Sequence, residues 1–404
     1  MPRIVTLDLV DSHGGRLGSL PAFEIDSPWW QDTAPAVQRA AELYGVDARI
    51  LHLLDGSADG TMSPTAGGSA RYLAELISGP APGPIGGGPE PEEPLRPLWA
   101  RPGGTARIVE WAEAVLRSLG RAQIGDAQQF RAWNLSSILR IDTATGPVWC
   151  KSVPAFFAHE GPAIEWLSAI APAGLLPTLL GHDPATTSVL LDDIPGADLY
   201  DCDEKTMLAM IERLIDLQFR TIGRAAEMHA IGAPNWQPDN FIAAIRGLWA
   251  KADLPVDEMT ALDRLISGLP RRFAVLAECG LPDTLVHGDP HPGNWRSDGT
   301  SLVLLDWGDC GFGHPMLDTV ALVERVDDDG LRQRLLDAFV AGWRDLLPAA
   351  DPTAALRIIE PIAALRQALI YQTFLDGIEP AERVYHRADV PNWLRNAIGL
   401  AARS

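Results

Sequence analysis

Residues 287–294 read HGDPHPGN, an aspartate, two histidines and an asparagine set among two prolines and two glycines. The prolines remove backbone donors and the glycines loosen the chain, so the stretch is a loop, not a helix or central strand. Asp289 and Asn294 stand in a D-x-x-x-x-N pattern, and a hairpin follows at once, NWR and SLVLLDW flanking a turn at 297–300. A tight hairpin returns the chain to its start, so Asp306, ending the second strand, is predicted to arrive beside Asn294. A carboxylate and an amide oxygen converging in this way suit Mg2+, a hard cation that takes few protein oxygens and completes its shell with phosphate oxygens. Asp289, one loop away, can then orient and deprotonate an attacking hydroxyl. Metal, base and positioning are what phosphoryl transfer asks of this part of a protein. H-G-D and D-W-G are each common turns by themselves. Their conjunction around a hairpin, preceded by LPDTLV, is what points to a metal site.

The elements that must carry this loop follow from the rest of the chain. At 404 residues it suggests two or three domains, and 47% hydrophobic content suffices for their cores. RIVTLDLV (3–10), 17–25, ARILHLL and ARYLAELI read as strands and 33–44 as a helix, a small α+β module ending near residue 78. Glycine and proline dominate 79–97, which predicts an exposed connection. Thr105 is expected to cap a helix reaching Leu119. The runs SSILRID and GPVWCKSV form strands about a turn at 143–146, and SVLLDDI closes this part at Pro195-Gly196. From Asp203 the signals are helical: 203–230, 255–278, 328–346, 352–375 and 390–402. The organisation is therefore 1–104, 105–195 and 196–404, a sheet-rich lobe followed by a helix-rich lobe, which together form a cleft.

A formal charge of −20 repels nucleic acid and anionic membrane and favours a cationic small molecule. No run approaches the roughly 18 apolar residues of a membrane span. The N-terminus lacks a signal-peptide pattern, and Cys150, Cys202, Cys279 and Cys310 have no paired spacing, so a reducing cytoplasm is expected. Three lysines stand among 33 basic residues, which draws attention to Lys151 at a strand end.

HGDPHPGN with LLDWGD resembles the catalytic and metal-binding segments of the aminoglycoside phosphotransferase and choline kinase-like superfamily, over residues 105–404. The resemblance implies an α+β bilobal protein-kinase-like fold, sheet-rich N-lobe and helical C-lobe, here preceded by a small α+β cap domain. It implies ATP as donor, Mg2+ held by Asn294 and Asp306, and Asp289 as catalytic base. Asp318, in GHPMLDTV, matches an aspartate that braces the catalytic loop, and His287 takes a similar structural role. Lys151 would clamp the ATP phosphates, with Glu160 matching the family glutamate and Glu165 as the alternative. Trp133, Asn134, Ser136 and Ser137 would lie over the nucleotide, in a loop without the usual glycine. The backbone of Asp192 and Ile194 would read adenine at the interlobe hinge.

The amino-terminal module is similar to the cap of actinobacterial maltokinases and glucosamine kinases, and DGIEPAERVYHRADVPNWL looks more like the glucosamine-kinase type. Acids beside an aromatic suit a sugar bearing an ammonium group. The expected acceptor residues are therefore Asp309, Gln372, Asp376, Glu379 and Trp393, with His386 and Asp389 in the same run. The expected reaction moves the γ-phosphate of ATP to the 6-hydroxyl of glucosamine. Maltose 1-phosphorylation and aminoglycoside phosphorylation are the alternatives within kinases, and a nucleotide-binding pseudokinase the alternative outside them.

Overall fold

The computed structural model describes residues 2–27, 29–57, 68–83 and 91–403. The chain divides into two compact units, one of Met1–Gly161, Thr178–Asp193 and Phe374–Arg387, the other of Pro162–Pro177, Ile194–Thr373 and Ala388–Ser404.

The first unit holds two sheets. In the amino-terminal one, β1 (Arg3–Val10) runs parallel to β5 (Gly68–Ser78) and antiparallel to β2 (Arg16–Ser19) and β3 (Phe23–Ile25), while β4 (Asp47–Ser57) closes the other side. Helix α1 (Ala34–Tyr44) buries Ala36 and Ala40 in the same core as Val5, Leu7, Leu9, Ile50 and Tyr72. The alternation of RIVTLDLV thus becomes a buried face, as a strand with one face on the core requires. The second sheet is antiparallel, in the order β6 (Gln128–Ala132), β7 (Ser137–Thr143), β8 (Gly146–Ser152), β10 (Ser188–Asp192), β9 (Leu179–Asp183). Helix α2 (Gly104–Ser118) packs Ile108, Ala112 and Leu116 against Leu139, Ile141, Val148 and Cys150. The side-chain amide of Gln129 joins the sheets, accepting from the Ile50 amide (2.9 Å) and donating to its carbonyl (2.8 Å).

Residues 374–387 complete this unit. Tyr385 stands edge-on to Trp30 and to Trp133, at 5.8 and 5.7 Å. Glu379 accepts three hydrogen bonds from Arg96, at 2.7–3.2 Å. Glu382 accepts from the Leu53 amide at 2.8 Å. The expectation that 79–97 is wholly exposed is therefore corrected at Arg96, which is buried. Residues 84–90 of that expected connection lie outside the described residues.

The second unit is mainly helical. Helix α3 (Glu160–Ser168) leads into it, and α4 (Glu204–Arg220), α5 (Ala225–Ala230), α6 (Pro238–Trp249) and α7 (Val256–Glu278) follow. Short strands complete it: β11 (Ala197–Asp198), which precedes α4, pairs β13 (Trp295–Ser297), which pairs β14 (Val303–Leu304), and β12 (Thr284–Val286) pairs β15 (Gly311–Gly313). Helices α8 (Thr319–Val323), α9 (Asp329–Leu346), α10 (Pro352–Gly377) and α11 (Asp389–Arg403) end the chain. No helix among the described residues is long and apolar enough to cross a membrane.

Local departures from the sequence reading have identifiable causes. Thr105 lies inside α2, whose cap is Gly103 in the left-handed region, and its hydroxyl donates to the Trp99 carbonyl instead. The helix expected over 203–230 breaks after Arg220, where the Thr221 hydroxyl donates to the Gln218 carbonyl, accepts from the Leu285 amide, and Gly223 turns left-handed. Helix α6 has Pro238 at its first position, a start signal the sequence reading did not use.

Burial raises the Glu382 carboxyl to about 8; Glu379 adds to the rise, while the Leu53 amide and Arg96 oppose it. Its folded value lies above the unfolded one, so this group favours the folded state at low pH. That contribution falls as pH rises from the ordinary glutamate range through about 8. Glu382→Gln is expected to leave the melting temperature unchanged near pH 5 and to raise it above pH 8. A destabilisation of equal size at both pH values would show that the titration of this carboxyl is not linked to folding over that range.

Candidate active site

The loop after β12 is built around a buried carboxylate. Asp318 accepts the backbone amides of His287 (3.0 Å) and Gly288 (2.7 Å) and the side-chain amide of Gln218 (2.8 Å). Gln218 is itself held by the Trp343 indole, whose N–H donates to its oxygen at 3.3 Å. Burial raises the Asp318 carboxyl to about 6, against the pull of these donors and of Arg366. His287 is buried and pushed down to about 3, so its ring is neutral. Its Nε2–H donates to the Leu305 carbonyl (3.0 Å) and its Nδ1 accepts from the Asp289 amide (3.3 Å), which fixes the tautomer. The ring also lies edge-on to Trp307 at 4.6 Å.

These bonds aim Asp289. Its carboxyl is raised first by burial, with Asp306 adding to the rise and His291 and Arg325 opposing it. The Asn294 amide nitrogen donates to the Asp289 carbonyl (2.8 Å) and to its carboxylate (3.2 Å). That leaves the Asn294 side-chain oxygen as the atom able to ligate a cation. The hairpin closes as its sequence predicts: Trp295 pairs with Leu304, and the Leu305 amide donates to the Asn294 carbonyl at 2.8 Å. Asp306 is therefore the next residue after a direct bond to Asn294. It holds φ 63° and ψ 69°, a left-handed backbone rare outside glycine and typical of functional turns. An amide oxygen and a carboxylate in this arrangement fit Mg2+, which keeps most of its shell for water and phosphate.

In the first unit, the Lys151 ammonium donates to Glu160 at 2.7 Å, their side chains 14% and 2% exposed. The preferred of the two candidate acids, Glu160, is thus bonded to Lys151. It occupies the first position of α3. Lys151 sits on β8 between Ile138 and Val189. The loop before β7 is tied by Trp133, whose amide donates to the Ser136 carbonyl (3.0 Å) and whose indole donates to its hydroxyl (3.0 Å). Ser136 and Ser137 are both buried, and Asn134 donates to the Glu382 carbonyl. At the expected hinge, the Asp192 side chain is bonded by Arg121 and its amide donates to Thr178. The Ile194 carbonyl, in the second unit, accepts from Arg296 at 2.6 Å.

The expected acceptor residues separate. Glu379, buried and fully engaged by Arg96, is corrected from an amine ligand to a packing group of the first unit. Gln372 is half-buried on α10, Trp393 half-buried on α11, and Asp376 exposed near the end of α10. Asp309 belongs to a different set. Burial pushes the Tyr371 phenol up, and the charges of Asp389, Glu324, Asp289 and Asp309 push it further. Glu324 is likewise raised by the surrounding protein and by Asp289 and Asp389, with Arg325 opposing. Glu324 and Arg325 escaped the sequence reading, because VERV at a helix end looks like a solvated surface. His291 went without a role there too; its Nε2 lies 3.5 Å from the Asp289 carboxylate.

The fold has solved counterparts. A putative aminoglycoside phosphotransferase from Ralstonia eutropha JMP134 is 16% identical, with a TM-score of 0.52 over 73% of this chain and 98% of that one. The choline kinase LicA from Streptococcus pneumoniae is 15% identical, with a TM-score of 0.52 over 74% and 100%. An ethanolamine kinase from Plasmodium vivax is 11% identical, with a TM-score of 0.51 over 69% and 81%. At such identities the likeness shows the fold alone, a protein-kinase-like one. No curated protein matches the sequence. The family described as "Phosphotransferase enzyme family" matches residues 139–356, more than half of the chain, and this chain belongs to that family.

Proposed function

We propose that this phosphotransferase is an ATP-dependent kinase whose acceptor is a hydroxyl on a small molecule bearing an ammonium group, with glucosamine and its 6-hydroxyl as the specific assignment. Family membership supports a small-molecule phosphotransferase with ATP as donor and Mg2+ as its ion. The observation that carries the amine is the carboxylate set Asp309, Glu324 and Asp389, which acts electrostatically on Tyr371 together with Asp289. Several carboxylates near one phenol favour a cation with a ring to stack, and a neutral sugar offers them no charge.

The chain's own residues supply the rest. The neutral His287 and the Asp318 carboxylate hold the backbone that presents Asp289. A raised carboxyl at Asp289 is a better proton acceptor than an ordinary aspartate. As the acceptor oxygen bonds to the γ-phosphorus, the bond from that phosphorus to the β,γ-bridging oxygen breaks, and the hydroxyl proton passes to the Asp289 carboxylate. Lys151, oriented by Glu160, donates to phosphate oxygens of the nucleotide. Asn294 and Asp306 are the residues that would hold Mg2+, and the ion would supply charge neutralisation on the phosphates. The presence of Lys151, Asp289, Asn294 and Asp306 together argues for an active kinase over a nucleotide-binding pseudokinase.

Asp289→Asn is expected to fold normally and to slow turnover by roughly 10²- to 10⁴-fold, the usual worth of a positioned base. Wild-type turnover in that variant, read as ADP release, would remove Asp289 from the mechanism. For the acceptor, ADP release is compared across glucosamine, glucose, N-acetylglucosamine, maltose and kanamycin. The amine reading expects glucosamine to be used well and N-acetylglucosamine, whose nitrogen carries no charge, to be used poorly. Preference for maltose or glucose would refute the amine; preference for kanamycin would keep it and refute the glucosamine assignment.

A further inference from the structure

Arg366, in the middle of α10, is fully buried within the second unit, yet it bonds no carboxylate among the described residues. Its guanidinium donates to two backbone carbonyls: Nη1 to Gly288 at 3.1 Å and Nη2 to Asp309 at 2.8 Å. The guanidinium carbon lies over the Trp236 ring, 4.9 Å from its centre. Gly288 immediately precedes Asp289, and Asp309 closes the turn that begins at Asp306. One rigid planar group therefore ties the segment of the base to the segment of the metal ligand. A buried cation is expensive to desolvate, and an apolar residue of similar volume would fill the same space at lower cost. Packing alone does not explain it.

The surroundings are fitted to this clamp. Gly288 is gripped from both sides, its amide by Asp318 (2.7 Å) and its carbonyl by Arg366, with Gln367 a weaker second donor at 3.4 Å. It adopts φ 95°, and a Cβ there would stand 2.3 Å from Arg366 Nη2 and 2.4 Å from the Asp309 carbonyl oxygen. Only glycine admits both the backbone conformation and the close approach. Trp236 reaches the guanidinium over Gly311, where a Cβ would stand 2.3 Å from the indole nitrogen.

We propose that Arg366 is a positioning residue for phosphoryl transfer: its two-pronged hold on the Gly288 and Asp309 carbonyls sets the Asp289 segment against the Asp306 segment. The role rests on the assignment of Asp289 and Asp306 to the reaction but not on any acceptor. A lysine keeps the charge but cannot hold two diverging carbonyls in one plane.

The test uses the full-length protein, with turnover read as ADP release both without acceptor and with the best one. A failed amino-sugar assignment therefore leaves it intact. Arg366→Lys is expected to keep a cooperative melt while kcat falls roughly 10- to 100-fold, as for a sub-ångström to ångström misplacement. KM for ATP should stay within about twofold, and the Mg2+ concentration giving half-maximal rate should rise. Arg366→Ala, the second variant, should regain turnover on addition of methylguanidinium and not of methylammonium. Wild-type kcat in Arg366→Lys would overturn the proposal, as would equal rescue by the two amines. Loss of the cooperative melt in both variants, with no rescue of residual turnover, would also overturn it and make Arg366 a residue of the core alone.

Discussion

The Asp318 carboxylate accepts the amide hydrogens of two successive residues, His287 and Gly288, and the direction of Asp289 follows from that grip. A loop with two prolines and two glycines has few intrinsic reasons to adopt one shape, and a buried ion gives it one. The ion is tolerable in the interior because three N–H donors converge on it and Arg366 lies close enough to favour its charge. Trp343 and Gln218 extend the support outward from it, and His287 extends it to Leu305 on the hairpin that carries Asn294 and Asp306. The geometry of the 287–294 loop is thus inherited from a buried hydrogen-bond network, not from the loop's own propensities.

A comparable logic operates in the first unit. Glu160 is 2% exposed and would be a costly charge without the Lys151 ammonium at 2.7 Å. The contact holds a flexible lysine in a single direction at the end of β8. Residues 374–387 do similar work for the amino-terminal sheet and for the loop before β7. Tyr385 fills the space between Trp30 and Trp133, and Glu382 receives both the Leu53 amide and, through its carbonyl, Asn134. Glu379, read from sequence as an acceptor residue, is here part of the amino-terminal core.

The sequence was most legible where chemistry and chain geometry coincide. D-x-x-x-x-N followed by a hairpin ending in aspartate implies convergence, because a tight hairpin must return to its origin, and the bond from Leu305 to Asn294 is that return. Alternation at the start of RIVTLDLV and periodicity in the α2 stretch were readable because there each element turns one face to the core. Long-range polar partners were not readable. Glu379 follows a helix end in an acidic run, and nothing local tells that Arg96, almost three hundred residues earlier, will claim it. Arg366 left a faint trace, as a lone charge inside the apolar run IAALRQALI. Its two carbonyl partners come from loops whose shape only the folded chain defines.

The reading stands or falls on whether Asn294 and Asp306 hold a metal ion that operates with nucleotide beside Asp289. Electron paramagnetic resonance of Mn2+, titrated with and without AMP-PNP, tests it on the wild type and on Asp306→Asn. The account predicts that nucleotide strengthens Mn2+ binding in the wild type and that Asp306→Asn weakens it by roughly tenfold or more while folding is retained. Equal Mn2+ affinity in the two proteins with AMP-PNP present would contradict it, and the metal would have to be sought elsewhere in the chain.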